Sequence, residues 1–343
     1  MKKHIIPFLL LGGLYFNSLN ICSKNKIDIN NIKSPIYTDD NYFGPADPEI
    51  VWNPNNKEWL IFYTGRRPLL DQSSYVGTPI GIASSTDFIN WNFKGYCSFD
   101  GEKGYKDSEK TFWAPGVIIE GDSAHMYVTK KDDSTPVWGG PSKIVHYVTH
   151  INDIVNGWKY KNEITQSPAS IDATVIKDNN GIWRMWYRDQ SPNSEVCQIF
   201  SAESKDLYNW ELLGVTKGDV NEISTTSHHY QEGVFVFEWK GYYWMITDPH
   251  KGLAVYKSKD AKDWEYQGII LDQPGSRILD NTRARHSSVI VNNDRAFIVY
   301  HVQPFLKQNI NTHESGDEVY QKISFIQMTE LFYKDGKIIC NRK

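Results

Sequence analysis

Cysteine is scarce in this sequence of 343 residues, which contains only four. Four scattered cysteines neither build a disulfide framework nor match the paired spacing of a metal cluster. If Cys22 is modified, Cys97, Cys197 and Cys340 remain. We expect these three to be buried thiols, with one optional disulfide among them.

The sequence also lacks a charge excess and the short motifs of several enzyme classes. Its formal net charge is −4, which gives no electrostatic reason to expect nucleic acid or an anionic membrane as a partner. It contains no Gly-x-Ser-x-Gly elbow, Walker loop, dinucleotide fingerprint or His-Glu-x-x-His sequence. We therefore expect no required cofactor.

Long apolar runs are absent except at the N-terminus. There, two lysines precede an apolar stretch at 5–16 that is too short to span a bilayer comfortably. The sequence "LNIC" then ends at Cys22 and resembles the lipobox of bacterial lipoproteins. We predict a signal peptide over 1–22, of the lipoprotein type if Cys22 is lipidated, and a linker over 23–35. The expected location is periplasmic, outer-membrane, cell-surface or secreted; plain secretion and a retained anchor helix stay open.

Aromatic residues are abundant, with 12 Trp, 20 Tyr and 15 Phe, which favours β-structure and surfaces that stack on sugar rings. One polar pattern recurs and places an Asp before a Trp: "SSTDFINW" at 84–91, "INDIVNGW" at 151–158, "SKDLYNW" at 204–210 and "SKDAKDW" at 258–264. Because the copies share them, we interpret the Asp and Trp as structural. The Asp holds its turn through side-chain to backbone hydrogen bonds, and the Trp packs between repeats.

A pair of β-rich segments joined by a tight turn recurs five times. The first members are "ADPEIVW" (46–52), "WAPGVIIE" (113–120), "SIDATVIKD" (170–178), "QEGVFVFEW" (231–239) and "RHSSVIVN" (285–292). The second members are "EWLIFYTG" (58–65), "AHMYVTK" (124–130), "IWRMWYRD" (182–189), "YYWMITDP" (242–249) and "RAFIVYHV" (295–302). A period of about 55–65 residues is typical of a four-stranded propeller blade with loops. We predict an all-β, five-bladed β-propeller over residues 36–343, with a β-sandwich as the alternative.

The residues that differ between repeats stand at the heads of the first segments. Asp47, Ala114, Asp172, Glu232 and His286 occupy these places. In a propeller the first strands line the central axis, so these heads are expected to converge on one funnel. Carboxylates gathered in a partly desolvated pocket have pKa values that spread apart, and hydrolysis of a glycosidic bond requires such an acid and base pair. The apolar run after Glu232 is expected to favour its protonated form.

Five motifs together resemble glycoside hydrolase family 43. They are "ADPEI" at 46–50, "FWAPG" at 112–116, "SIDATV" at 170–175, "QEGVF" at 231–235 and "RHSSV" at 285–289. The resemblance implies an inverting mechanism with Asp47 as the general base, Asp172 as the residue that tunes the acid and orients substrate, and Glu232 as the general acid. The acid and base are then expected roughly 6.5–9.5 Å apart. The family also implies that His286 lies near the axis, around a bound water or a structural calcium ion. For each of the three acids, the alternative to a catalytic role is a structural one, in which the residue at the strand entry caps the amide groups of a loop.

The motifs depart from the family pattern at several places. Gly116 stands where an acidic residue is usual, Val234 replaces a proline, and Arg285 replaces the glycine before the blade-five histidine. Near the C-terminus, Lys322 stands where an arginine often reaches substrate. These changes resemble a divergent branch or the neighbouring family 117, which acts on anhydrogalactose-containing oligosaccharides and is said to use a histidine as acid. The candidates for that role are His228, His229, His250 and His286, each with a structural or solvated role as the alternative.

Substrate contacts are expected from aromatic and basic residues near the acids. The candidates are Trp113, Arg188, Arg285 and His286, since an indole stacks on a sugar face and a guanidinium offers a planar fork to hydroxyls or a uronate carboxylate. Arg66 and Arg67 either line the rim or are solvated loop charges. The loop 131–143, with Trp138 at its centre, is a candidate rim loop.

The preferred interpretation is an exported, exo-acting, inverting glycosidase on plant or algal oligosaccharides or polysaccharides, such as a β-xylosidase or α-L-arabinofuranosidase. Besides the family 117 type, two alternatives stay open. A phosphorylase on the same propeller requires basic side chains beside the base position. A non-catalytic glycan-binding propeller is the other, and the presence of all three acids weighs against it. No membrane contact is expected beyond a lipid anchor at Cys22.

Overall fold

The computed structural model of the protein describes residues 27–69, 74–104, 110–132, 141–165, 167, 169–190, 197–221, 231–306 and 319–342. Its regular elements are 21 strands and four short 3₁₀ helices. The helices are Ile29–Asn31, Ile151–Asp153, Asp219–Asn221 and Val319–Lys322. Among the described residues, no helix has the length and apolar character needed to cross a membrane.

The strands form five sheets, each built from consecutive segments of the chain. Blade one is β1 (Pro45–Asn53), β2 (Glu58–Gly65), β3 (Ile80–Ser85) and β4 (Asn92–Tyr96). Blade two is β5 (Lys110–Glu120), β6 (Ser123–Asp132), β7 (Ser142–His150) and β8 (Lys159–Glu163). Blade three is β9 (Ile171–Lys177), β10 (Trp183–Gln190), β11 (Cys197–Ser204) and β12 (Trp210–Val215). Blade four is β14 (Glu232–Trp239), β15 (Tyr242–Asp248), β16 (Leu253–Ser258) and β17 (Asp263–Ile270), with β13 (Lys217–Gly218) on its edge. Blade five is β18 (Arg285–Asn292), β19 (Arg295–Val302), β20 (Phe325–Lys334) and β21 (Lys337–Cys340).

The inner strands β1, β5, β9, β14 and β18 contact one another in a closed ring around the axis. Each pairs antiparallel with the following strand of its own blade. All ten recurrent segments identified in the sequence are strands, and the predicted five-bladed β-propeller is confirmed.

Five hydrophobic clusters fill the spaces between blades, one for each pair of neighbours. The tryptophans of the recurring turns contribute to them, as predicted. Trp158 of blade two packs 6.1 Å from Phe62 of blade one, and Trp264 of blade four packs edge-on against Trp186 of blade three at 5.6 Å. Such aromatic pairs stabilise the contact beyond the area that they bury.

The aspartates of the recurring turns hold their turns as predicted in three copies. Oδ1 of Asp87 accepts hydrogen bonds from the backbone N–H groups of Ile89 and Asn90, both at 2.8 Å. Asp206 and Asp260 accept equivalent bonds. The looser copy differs, because Asp153 accepts the turn hydrogen bond through its backbone carbonyl.

The segment before blade one closes the ring. Ile27, Ile32 and Ile36 are buried in the cluster between blades five and one, and Tyr37 exchanges backbone hydrogen bonds with Ile326 of β20. Residues 27–35 therefore pack on the propeller, whereas the sequence interpretation treats them as linker.

The three described cysteines, Cys97, Cys197 and Cys340, are all free thiols. Cys97 and Cys197 are buried as expected, and Cys340 is partly exposed. The optional disulfide is therefore not formed among these three.

Candidate active site

Each inner strand carries a bulge where it enters the axis, and this bulge shapes the candidate site. The bulged residues have left-handed backbone: Asp47 (φ 51°), Ala114 (φ 43°), Asp172 (φ 61°), Gly233 (φ 59°) and His286 (φ 31°). The regular register of each inner strand shifts at these places. Left-handed backbone is uncommon for residues other than glycine, and it clusters at sites where function fixes it.

Glu232 lies one residue earlier in this repeat than the sequence comparison assumed. The bulged residue of blade four is Gly233, so Glu232 is equivalent to Arg285, not to Asp47 or His286. A Cβ atom at Gly233 would lie 3.0 Å from Cγ of His286. In the Glu-Gly pair, Gly233 therefore occupies the bulge, where a side chain would crowd His286, and Glu232 supplies the carboxylate next to it.

The bulges are held by a ring of hydrogen bonds between blades. The bulged N–H groups of Ala114, Asp172, His286 and Asp47 donate to Thr64 Oγ1 (2.8 Å), Thr129 Oγ1 (3.1 Å), Asp248 Oδ2 (3.1 Å) and His301 Nδ1 (3.2 Å). These acceptors stand at the ends of the second strands. In blade three that position is Arg188, which has no acceptor atom. The N–H of Gly233 donates instead to Oδ2 of Asp172 at 2.9 Å, which holds this carboxylate beside Glu232.

Asp47 lies among basic groups. Nη2 of Arg66 is 3.2 Å from Oδ1 of Asp47, Nδ1 of His286 is 3.3 Å from the same atom, and His301 lies behind them. Burial alone would raise the pKa of Asp47, but Arg66 and His286 outweigh it and hold that pKa well below its usual range. Asp47 is therefore an ionised carboxylate at neutral pH. Arg66, for which a solvated role was an open alternative, lies in the site.

Asp172 and His286 have pKa values displaced by their neighbours. Burial, together with the charges of Glu232 and Asp47, raises the pKa of Asp172 to about 6 against the opposing effect of His286. Burial would lower the pKa of His286, but Asp47 and Asp172 raise it to about 9. Asp172 thus titrates near neutral pH, and His286 is an imidazolium there.

Glu232 forms an ion pair that the sequence did not predict. Nε2 of His250 lies 3.0 Å from Oε1 of Glu232. Burial would raise the pKa of Glu232, but the charge of His250 outweighs it and lowers this pKa to about 2, while the pKa of His250 is raised. The expectation that the apolar strand keeps Glu232 protonated is wrong for this state, because the pair places its proton on the histidine.

Two of the predicted substrate contacts, Arg188 and Trp113, stand at strand positions next to the bulges. Arg188 lies opposite Ile171 in the sheet, donates to the carbonyl of Ala169 at 3.2 Å, and lowers the pKa of Glu232 through its charge. Trp113 stands directly before the bulge of blade two, and its Nε1 donates to the carbonyl of Tyr75 at 2.7 Å. Its side chain is partly exposed.

Other predicted residues have mainly structural roles or lie outside the described part. Arg67 is buried and donates to the carbonyl of Val76. Gly116 is required by packing, because a Cβ atom there would lie 2.1 Å from the carbonyl oxygen of Ala173. Lys322 ends the last 3₁₀ helix. His228, His229, Trp138, most of the loop 131–143, and Cys22 with the signal peptide lie outside the described residues.

The expected calcium ion near His286 stays a prediction. Within the described ranges, no group of three or more His, Cys, Asp or Glu side chains is arranged to hold a metal ion. Nδ1 of His286 faces Asp47, and the imidazolium form has no free lone pair for a metal.

Three site residues were missed or undervalued in the sequence: Asp248, His250 and His301. They stand at or just after the ends of β15 and β19, opposite the bulges. Asp248 accepts hydrogen bonds from the backbone N–H groups of both His250 (2.8 Å) and His286 (3.1 Å), so it connects the neighbours of the acid and the base. Their signal in the sequence is their place at the ends of the second strands, the counterparts of the heads of the first strands.

Comparisons with known proteins bear on the family and the fold of the chain. The family model "Glycosyl hydrolases family 43" matches residues 72–313. No curated protein matches the sequence. Many solved structures do, at identities low enough that their likeness establishes the fold alone.

Three of these structures illustrate the range. A GH43 β-xylosidase/α-arabinofuranosidase from a compost microbial metagenome, in complex with xylotriose, is 16% identical with a TM-score of 0.65, over 89% of this chain and 96% of that one. The GH43_1 enzyme from Xanthomonas citri, complexed with xylotriose, is 15% identical with a TM-score of 0.61, over 89% and 92%. The Bombyx mori GH32 β-fructofuranosidase is 15% identical with a TM-score of 0.61, over 87% of this chain and 62% of that one.

The family match spans well over half of the 343 residues, and the five-bladed fold agrees with it. The chain belongs to glycosyl hydrolase family 43 and is a glycosidase that hydrolyses O-glycosyl compounds.

Proposed function

We propose that this enzyme is an inverting, exo-acting glycosidase in which Asp47 is the general base and the Glu232–His250 pair supplies the proton of the general acid. The observation that carries the proposal is the meeting of Asp47, Asp172 and Glu232, from three blades, at one entrance of the propeller axis. Two carboxylates with opposite protonation roles are what inverting hydrolysis of a glycosidic bond requires.

The base side of the reaction rests on Asp47. Arg66 and His286 keep its carboxylate ionised, and a carboxylate has enough lone pairs to accept a water proton while these contacts persist. In the reaction Asp47 accepts one proton from the attacking water, whose oxygen bonds to the anomeric carbon. The fixed backbone of the bulge holds this carboxylate in place, which lowers the cost of orienting it in each turnover.

The acid side rests on a pair that holds one proton. At neutral pH the proton resides on His250, 3.0 Å from Glu232. We infer that it passes to Glu232 when substrate excludes water, since a neutral pair is favoured over an ion pair in a drier site. Glu232 then donates this proton to the leaving oxygen as the glycosidic bond breaks. Asp172, held beside Glu232 by the N–H of Gly233, favours the protonated carboxyl through its own charge.

The substrate is proposed to be a plant or algal oligosaccharide or polysaccharide. Two structural neighbours were solved with xylotriose, which supports a β-xylosidase or α-L-arabinofuranosidase type of activity. The burial of Asp47 and Asp172 supports a pocket that takes a chain end. Export, with a lipid anchor at Cys22, belongs to the proposal and rests on the N-terminal sequence alone.

The phosphorylase alternative also gains an observation, because Arg66 and His286 are basic side chains beside the base position. Hydrolysis is preferred because their charges are already engaged with Asp47.

A screen of aryl glycosides and defined oligosaccharides with wild type and Asp47→Asn, with and without phosphate, tests the proposal. Phosphate-independent cleavage that Asp47→Asn lowers by about 10²–10⁴-fold supports hydrolysis. Binding without cleavage supports the glycan-binding alternative, and phosphate-dependent cleavage supports the phosphorylase.

A further inference from the structure

Three guanidinium groups lie on the blade-five and blade-one side of the candidate active site. Nη1 of Arg66 is 3.4 Å from Nε2 of His301, and Arg285 lies directly opposite His301 in the sheet. Arg283 is two residues before Arg285 and within electrostatic reach of it. Arg66 also stacks over the ring of Tyr75, with 5.3 Å between Cζ and the ring centroid. Positive charge is thus concentrated on one wall, next to Asp47.

Arg285 is the unusual member of this group. Arg285 is only 6% exposed, and its Nη2 atom is buried with no hydrogen-bond partner. No ion pair to Arg285 is found in the part of the chain that the structure describes. Burying an unpaired charge is costly, and such groups are normally paired. Burial and the charge of Arg283 lower the pKa of Arg285 to about 10, so it is still charged at neutral pH.

The balance of charge in the site is positive, although the whole chain carries −4. The positive groups of the site among the described residues are Arg66, Arg188, Arg283, Arg285 and the imidazolium forms of His250 and His286. The carboxylates that face them are Asp47, Asp172, Glu232 and Asp248. Glu49, farther along β1, is neutral at pH 7 because burial raises its pKa to about 8. Even with all four carboxylates ionised, the positive groups outnumber them.

From the unpaired, buried guanidinium of Arg285 beside Arg66, we propose that the pocket binds a sugar that carries an oxyanion, either a uronate carboxylate or a sulfate ester. The planar fork of a guanidinium matches both groups in a bidentate way. In the proposed complex the oxyanion pairs with the guanidinium of Arg285, and Arg66 stays on Asp47. This inference rests on the proposed function and specifies the substrate class of the same site.

The test compares matched pairs of substrates with the full-length enzyme. Each neutral aryl glycoside or oligosaccharide is paired with a version that carries a carboxylate, or a sulfate ester, on the terminal sugar, and each is assayed with and without inorganic phosphate. We expect kcat/KM to be about 10–100-fold higher for the anionic member, as hydrogen bonds to charged groups allow. The carboxylate and sulfate arms distinguish the two sources of the oxyanion.

Variants separate recognition from folding. Arg285→Met is expected to lower kcat/KM on the anionic member by about tenfold more than on the neutral member, and to leave the melting temperature equal or higher, because an unpaired buried charge is removed. Lys262→Met removes an exposed positive charge elsewhere and serves as the matched control. A uronate monosaccharide is expected to raise the melting temperature of wild type at constant ionic strength, and its neutral counterpart is not.

The outcomes are distinguishable. Equal cleavage of neutral and anionic members overturns this inference and leaves the proposed hydrolysis standing. Cleavage that requires inorganic phosphate shows that the oxyanion is a co-substrate, which overturns a sugar-borne oxyanion. A lower melting temperature of Arg285→Met, with parallel loss on both members, shows a structural arginine and overturns it too. If no glycan of either kind is bound or cleaved, the proposed function fails and the inference fails with it.

Discussion

Nε2 of His250 lies 3.0 Å from Oε1 of Glu232, so the candidate general acid is already paired with a cation. The two residues belong to the same blade: Glu232 begins β14, and His250 follows the end of β15. The backbone N–H of His250 donates to Asp248, which fixes the position of the histidine. The proton needed for catalysis is therefore shared by a pair, and its properties belong to both groups.

Replacing His250 tests this shared proton. In wild type the pair loses its proton as pH rises through the raised pKa of His250, so the alkaline limb of kcat/KM lies above the usual histidine value of about 6.5. In His250→Gln the proton resides on Glu232 alone, whose ordinary pKa is lower. We expect the alkaline limb to move to lower pH. An unchanged alkaline limb would show that His250 has no part in holding the proton.

Replacing Glu232 tests its role as the acid. Glu232→Gln cannot donate a proton, and the loss of rate depends on how much the leaving group needs one. We expect a loss of about 10²–10⁴-fold on alkyl and poor aryl leaving groups, and a small loss on 2,4-dinitrophenyl glycosides. The measurement is kcat/KM across a leaving-group series for both enzymes. A uniform loss across the series would assign Glu232 to substrate binding instead.

Replacing Arg66 tests the control of Asp47. Arg66 and His286 hold the pKa of Asp47 well below its usual range, so the base stays ionised at low pH and is lost only as pH falls through that lowered pKa. Removing the guanidinium in Arg66→Gln raises this pKa. The acid limb of kcat/KM on a neutral substrate should therefore move to higher pH. Lys262→Gln is the control for a lost surface charge, and identical acid limbs in Arg66→Gln and wild type would contradict the assignment.

A buried histidine pair predicts how stability depends on pH. Nδ1 of His125 lies 3.0 Å from Nε2 of His146, and burial lowers their pKa values to about 4 and about 3. Both are neutral in the folded protein, whereas the unfolded chain binds protons near pH 6.5. The neutral histidines therefore make their full contribution to the free energy of unfolding above about pH 6.5, and this contribution is lost as pH falls. At pH 4 the loss from His125 alone is on the order of 3 kcal/mol.

Urea unfolding from pH 7 to pH 4 measures this dependence. The variant His125→Gln removes one titrating group, so its unfolding free energy should fall less steeply with decreasing pH than that of wild type. His150, which caps a 3₁₀ helix at the surface, supplies the control His150→Gln. Parallel curves for His125→Gln and wild type would show that the pair does not govern acid sensitivity.

Much of the fold could be predicted because each blade repeats the same local pattern. The alternation of aromatic and apolar residues, with polar turns between, identified strands such as β2 and β19 to the residue. The gathering of Asp47 and Asp172 followed from the same repeat, since equivalent positions of a propeller meet at the axis. Both bulges have the same left-handed backbone, as the repeat requires.

The position and the protonation of Glu232 could not be predicted, because they depend on contacts that aligning the repeats of the sequence does not reveal. The position of Glu232 was misjudged by one residue because a bulge changes the register, and only Gly233 reveals where it lies. The low pKa of Glu232 arises from His250, which is 18 positions away in sequence and adjacent in space. Electrostatic control of a carboxylate depends on its spatial neighbours, so the strand that follows it does not determine its protonation.

The central claim is that Asp47 activates water for an inverting hydrolysis assisted by Glu232. It is tested most directly by following the anomeric configuration of the first product with proton NMR, on whichever glycoside the screen shows to be cleaved. The account predicts that the initial product has the anomeric configuration opposite to that of the substrate, before mutarotation. An initial product with retained configuration would contradict the account, because it requires a covalent intermediate that Asp47, as a base, does not form.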